Sequence, residues 1–198
     1  MLVVSLEVPS NYNELILAMR GFISFAISFA MLIFLWYYHF LFFRRYGLQT
    51  QFILVLNSIL LFVMLFYIYP LKFLFNFLVY ILWRETTTLE QITITVEQSA
   101  NLMVIYSSGL LIIFIIYMLM YFYAYRHHAY LKLTESEILL TKSAYEAHCI
   151  YASVSVLSIL FALYTDMVAM SGFIYAFFGP ARAVHGVFIR KRLDKIKT

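Results

Sequence analysis

Charge is scarce in this chain: Asp, Glu, Lys and Arg make up 12% of its 198 residues, where a soluble domain carries about a quarter. A soluble enzyme is thereby excluded. The one cysteine, Cys149, rules out an intrachain disulfide, a thiolate zinc cluster and an iron–sulfur site. With 6 Gly in the whole chain there is no glycine-rich phosphate cradle, and no His-Glu-x-x-His helix or Gly-x-Ser-x-Gly turn occurs. His39, His127, His128, His148 and His185 are scattered along the chain, too few and too dispersed for the clustered ligands of a membrane di-iron oxygenase. They read instead as interfacial histidines in basic surroundings, so no metal, no cofactor and no enzymatic activity is expected. The opening MLVVSLEVPS has no basic leader, and its apolar run stops at Glu7 and Pro9. It is neither a signal peptide nor a full span.

What fills the chain is apolar and aromatic, at 64% and 20% of residues. At about 20 residues per crossing, five apolar blocks are long enough to traverse a bilayer. They fall at about 21–43, 52–69, 102–125, 145–164 and 167–189, and residues 1–10 read as the outer end of a sixth, N-terminal helix. The expected fold is therefore all-α, one polytopic transmembrane domain over residues 1–198. The second block continues beyond Pro70 to Trp83, farther than one crossing requires, and is read as bending at the outer interface. Residues 84–98 are polar and form a loop. Between the third and fourth spans, Thr134 and Glu137 have the spacing of a helix-capping box at the start of an amphipathic run. Gly179 and Pro180 interrupt the last span.

Basic residues orient the bundle, because cytoplasmic loops are enriched in Lys and Arg. Arg44, Arg45, Arg126, Lys132, Lys142 and the tail from Arg190 to Lys197 all fall on one side, which is read as cytoplasmic. The other side holds Arg20 and Arg84 together with Glu7, Glu14, Glu85, Glu90, Glu97 and Asp166. A multi-pass integral membrane protein with a cytoplasmic C-terminus follows, its bilayer the expected partner and nucleic acid not one. Met1 then falls outside, so the chain is expected to begin in the outer half of a helix whose first half is absent.

Polar side chains at membrane depth carry more information, since each costs free energy unless it finds a partner. Trp36 and His39 share a helix face near the cytoplasmic end of the first span, and Asn57 lies about one and a half turns into the next. A helical hairpin would bring the three to one depth as a hydrogen-bonding network. Read singly, Trp36 and His39 are interface-belt residues and Asn57 is interhelical glue. Ser24 with Ser28, and Ser107, Ser108 and Gly109, are small-residue patches suited to close helix contact. Arg182 and His185 share a face after the Gly-Pro break, placed to snorkel or to cap carbonyls that the kink frees.

The string FLWYYHFLFFRRYG, followed by LVLNSILLF, resembles the second and third helices of the transmembrane protein 175 family, the endosomal and lysosomal potassium channels and their prokaryotic relatives. In that family a Trp-x-x-His pair and an Asn meet a Phe-Ser-Asp motif on the first helix. Trp36, His39 and Asn57 match the pair and the Asn, whereas no Phe-Ser-Asp occurs in these residues. MLVVSLEVP is similar to the outer end of the family's first helix, and the likeness runs loosely on through TESEILLTKSA and FFGPARAVH. The resemblance implies a potassium-preferring cation channel subunit of a prokaryotic plasma membrane. It further implies a homotetramer whose pore is lined by first helices bearing apolar rings, with Val4 at the outermost ring and Leu2 close by. Without the upstream half-helix, no selective current is expected from these 198 residues alone. An ion-coupled transporter, a non-conducting scaffold and a membrane-embedded enzyme stay open as other classes.

Overall fold

The computed structural model describes residues 10–83, 96–165 and 168–197. Among the described residues all regular structure is helical: α1 (Tyr12–Tyr46), α2 (Gln51–Trp83), α3 (Val96–Arg126), α4 (Glu135–Tyr164), α5 (Val168–Phe173), a 3-10 turn (Ile174–Phe177) and α6 (Phe178–Lys197). Five stretches are long and apolar enough to cross a membrane: Tyr12–Tyr46, Gln51–Phe75, Gln98–Arg126, Glu135–Tyr164 and Ser171–Ile196. This is the expected all-α membrane bundle. The chain divides into two compact units, Met1–Tyr37 with Ile68–Ile92, and Tyr38–Tyr67 with Thr93–Thr198.

In the first unit, α1 begins nine residues ahead of the apolar block at 21. Its start is fixed locally. The Asn11 side chain accepts from the Glu14 amide at 2.9 Å, and the Glu14 carboxylate accepts from the Ser10 amide and hydroxyl at 2.8 and 2.7 Å. Reciprocal capping of this kind satisfies amides that the first turn leaves without partners. Farther along, Ser24 and Ser28 are each only 1% exposed, and the Ser28 hydroxyl donates to the Ser24 carbonyl at 2.7 Å. α2 carries Pro70 inside the helix rather than ending there.

The second unit is organised around α3 and α4, its most extensive helix pair. α4 starts at the capping box read in the sequence: the Glu137 amide donates to Thr134 Oγ1, and the Glu137 carboxylate accepts from the Thr134 amide at 2.8 Å. The α4 face turned inward repeats every seven residues as Thr141, His148, Ser155 and Ala162, all buried. Small groups there let polar atoms meet in pairs. Ser158 donates to the Ser171 carbonyl at 2.9 Å, so its oxygen accepts the Ser107 hydroxyl at 2.8 Å. Gly109 lies under the Tyr67 ring so closely that a Cβ at that position would collide with it. α1 ends at Gly47, whose φ of +57° is the left-handed conformation glycine adopts without strain, and its amide caps the Phe43 carbonyl at 2.9 Å.

The last span is broken, but the break falls at the 3-10 turn Ile174–Phe177, just ahead of Gly179 and Pro180. Pro180 has no amide and its ring would clash with the carbonyl four residues back, whereas the first turn of a new helix tolerates both deficits. The interruption is thus displaced toward the N-terminus, and α6 starts at Phe178.

Candidate functional site

Around the short turn of residues 47–50, α1 and α2 form a helical hairpin. His39 lies seven residues before the end of α1 and Asn57 six residues after the start of α2, so both sit about 10 Å from the turn at 1.5 Å per residue. His39 Nε2 and Asn57 Oδ1 are 2.6 Å apart. With the amide oxygen facing the ring, Nε2 carries the proton and donates it. The imidazole packs against Phe43, with ring centroids 4.8 Å apart. Trp36 precedes His39 by three residues on α1, its ring 53% exposed. Leu2 and Val4 lie outside the described residues.

The hairpin is tied to α3 and α4 by aromatic and hydroxyl contacts. Phe42, fully buried, meets Tyr121 edge to face at 5.2 Å. Thr141 donates to the Glu137 carbonyl at 2.7 Å, so it accepts the Tyr46 hydroxyl at 2.8 Å. Phe52 stacks on Tyr123 at 5.1 Å. Each joins the turn end of α1 or α2 to the end of α3 or the start of α4.

Two constellations escaped the reading of the sequence. His148 is not interfacial: it is 4% exposed, donates through Nδ1 to the Ala144 carbonyl at 2.7 Å, and stacks on Tyr121 with a 19° interplanar angle. Tyr38, Phe114, Tyr117 and Tyr151 complete an aromatic box around it. The seven-residue recurrence from Thr141 through His148 to Ser155 was the available signal. The second is an acid–histidine pair. Glu146 Oε2 lies 3.0 Å from His185 Nε2, and Glu146 Oε1 lies 3.9 Å from Lys142. His185 therefore binds a carboxylate rather than capping carbonyls at the break, and its buried Nδ1 has no partner among the described residues. A carboxylate at a span end that must be neutralised was the clue here.

Five apolar spanning stretches and a hydrogen-bonded pair inside a helical hairpin define a polytopic α-helical membrane protein. No protein-family model matches the chain. A curated relative named a potassium channel, from Marivirga tractuosa, is 37% identical over 206 residues that cover 99% of this chain and 83% of the relative. Among solved structures, a variant of the potassium channel MtTMEM175 in complex with a nanobody–MBP fusion protein is 38% identical with a TM-score of 0.80, over 93% of this chain and 84% of that one. The chain belongs to the transmembrane protein 175 family. Both relatives are named as channels, and channels are not enzymes, in agreement with the reading of the sequence.

Proposed function

We propose that this chain is the subunit of a potassium-preferring cation channel in a prokaryotic plasma membrane, with its C-terminus cytoplasmic. The observation that carries the reading is similarity over nearly the whole chain, at 37% and 38% identity, to two proteins named potassium channels. Four subunits would surround a pore lined by N-terminal helices, with Val4 and Leu2 among the apolar rings that face it. Such rings pass ions when wetted and stop them when they dewet, without a carbonyl filter. Trp36, His39 and Asn57 would hold the hairpin behind that helix and set its inner end. Transport coupled to protons or sodium is less well supported. A coupling carboxylate belongs at the midplane, whereas the apolar stretches 21–43, 52–69 and 102–125 contain no Asp or Glu, and Glu146 and Asp166 stand at the ends of the stretches 145–164 and 167–189.

Potassium flux into liposomes holding the purified protein, expressed from its complete gene, tests the proposal. Passive flux driven by a potassium gradient alone, larger than the sodium flux measured the same way, is expected. Flux that requires an opposing ion gradient, or silence in protein shown to be folded, would overturn it.

A further inference from the structure

The turn end of the second unit gathers Arg44, Arg45, Arg126, Lys132, Lys142 and the basic end of α6. Ten Lys and Arg meet only four carboxylates there, Glu135, Glu137, Glu146 and Asp194. Two of those acids are already engaged. Glu137 is engaged by its own helix cap and also feels the charge of Arg45, and Glu146 is engaged by Lys142 and His185. Among the described residues, none of Arg44, Arg45, Arg126, Lys132, Arg190 and Arg192 is in an ion pair with a carboxylate.

Two of these guanidiniums are held in a particular way. Arg44 lies over the Phe40 ring and Arg126 over the Phe122 ring, each 5.8 Å from the centroid and four residues along the same helix. Both rings are 40% exposed, on the surface a bilayer would cover. Side chains on a helix lean toward its N-terminus, which for α1 and α3 at this end is toward the membrane. The two guanidiniums are therefore folded back along apolar surface, which in a bilayer would hold them at the level of the headgroups rather than beyond it. An uncompensated planar cation at that depth fits a phosphate oxygen pair, which guanidinium binds in bidentate fashion.

We infer that this rim binds anionic phospholipid headgroups, with Arg44 and Arg126 as its principal phosphate contacts. A zwitterionic headgroup brings its own ammonium and leaves the excess positive charge unbalanced, whereas phosphatidylglycerol neutralises it. The inference goes beyond the channel reading and rests only on the chain being embedded in a bilayer.

The test follows thermal unfolding of the full chain in neutral detergent micelles, so its outcome is independent of conduction. Added phosphatidylglycerol is expected to raise the melting temperature more than phosphatidylcholine at the same mole fraction. The Arg44→Gln, Arg126→Gln double variant should lose most of that difference, and the corresponding Lys double variant, which keeps the charge but not the two-point contact, should lose less than the Gln variant. If the Gln double variant does not purify, each single Gln variant is judged by the same criterion. Equal shifts from the two lipids would overturn the inference, as would a Gln variant that keeps the full difference. Inorganic phosphate giving the whole gain would assign the rim to free anions instead.

Discussion

At the scale of single residues, the hairpin pair offers the sharpest measurement. A hydrogen bond between transmembrane helices contributes only about 0.6 kcal/mol on average and up to roughly 2, because the unfolded helices in lipid also find partners. His39→Ala and Asn57→Ala should each destabilise by that order, and the double variant should cost less than the sum, since the 2.6 Å contact is lost only once. Strictly additive losses in a double-mutant unfolding cycle would show that the two side chains act independently. Gly109 presents a different sensitivity. A methyl there meets the Tyr67 ring, so Gly109→Ala should cost about 1–3 kcal/mol as overpacking, and Tyr67→Leu should relieve part of that cost in the double variant. Thermal unfolding that leaves the single variant unchanged would mean the ring moves aside freely. Trp36, His39 and Asn57 stood out in the sequence because a polar group at membrane depth is expensive wherever it occurs. The pairing of Glu146 with His185 did not, because it is a contact across 39 residues of chain and neither residue's local pattern names the other.

Helical elements were readable where hydropathy alone decides and less so where hydrogen bonds do. Five apolar blocks were expected and five helical stretches are long and apolar enough to cross a membrane, yet α1 starts at Tyr12 and α3 at Val96, ahead of their apolar cores. For α1 the reason is local: Asn11 and Glu14 cap the helix start with their own hydrogen bonds. The α4 start was legible because Thr134 and Glu137 have the full capping-box signature. Removing it with Thr134→Ala should cost about 1 kcal/mol, and a variant as stable as the parent in chemical unfolding would show that packing on α3 alone fixes this helix end. The break in the last span was expected at Gly179 and Pro180, but a proline displaces the disruption to the turn before it. What then joins α6 to α4 includes the Glu146–His185 pair. Glu146→Ala would strip His185 of the carboxylate it contacts while its Nδ1 already lacks a partner among the described residues, so a loss of about 1–3 kcal/mol is expected. Glu146→Gln, which retains an acceptor oxygen, should lose less. Equal losses for the two would mean that ionic attraction, not hydrogen bonding, holds the pair.

For the molecule as a whole, charge asymmetry ties sequence to membrane orientation. Arg44 and Arg45 lie in the last turn of α1, Arg126 ends α3, and the C-terminal half of α6 carries Arg190, Lys191, Arg192 and Lys195, so alternate helix ends carry the basic residues. The fold supplies an independent check on which ends lie together. Tyr46 bonds Thr141 and Phe52 stacks on Tyr123, so the end of α1, the start of α2, the end of α3 and the start of α4 share one end; Phe178 packs on Tyr151 and His185 reaches Glu146, so α6 runs antiparallel to α4 and its C-terminal half points toward that same end. Positive residues resist translocation across the membrane, and a rim this basic is expected on the cytoplasmic side. Cysteines introduced at Thr88 and at Lys195, on a background in which Cys149 is Ser, make that testable in intact cells. An impermeant thiol reagent added outside should label Thr88→Cys, and Lys195→Cys should react only after the membrane is permeabilised. Labelling of the tail in intact cells would invert the orientation. It would also place the unpaired arginines beside the outer leaflet, where the anionic lipid they are proposed to bind would have to be supplied from that face.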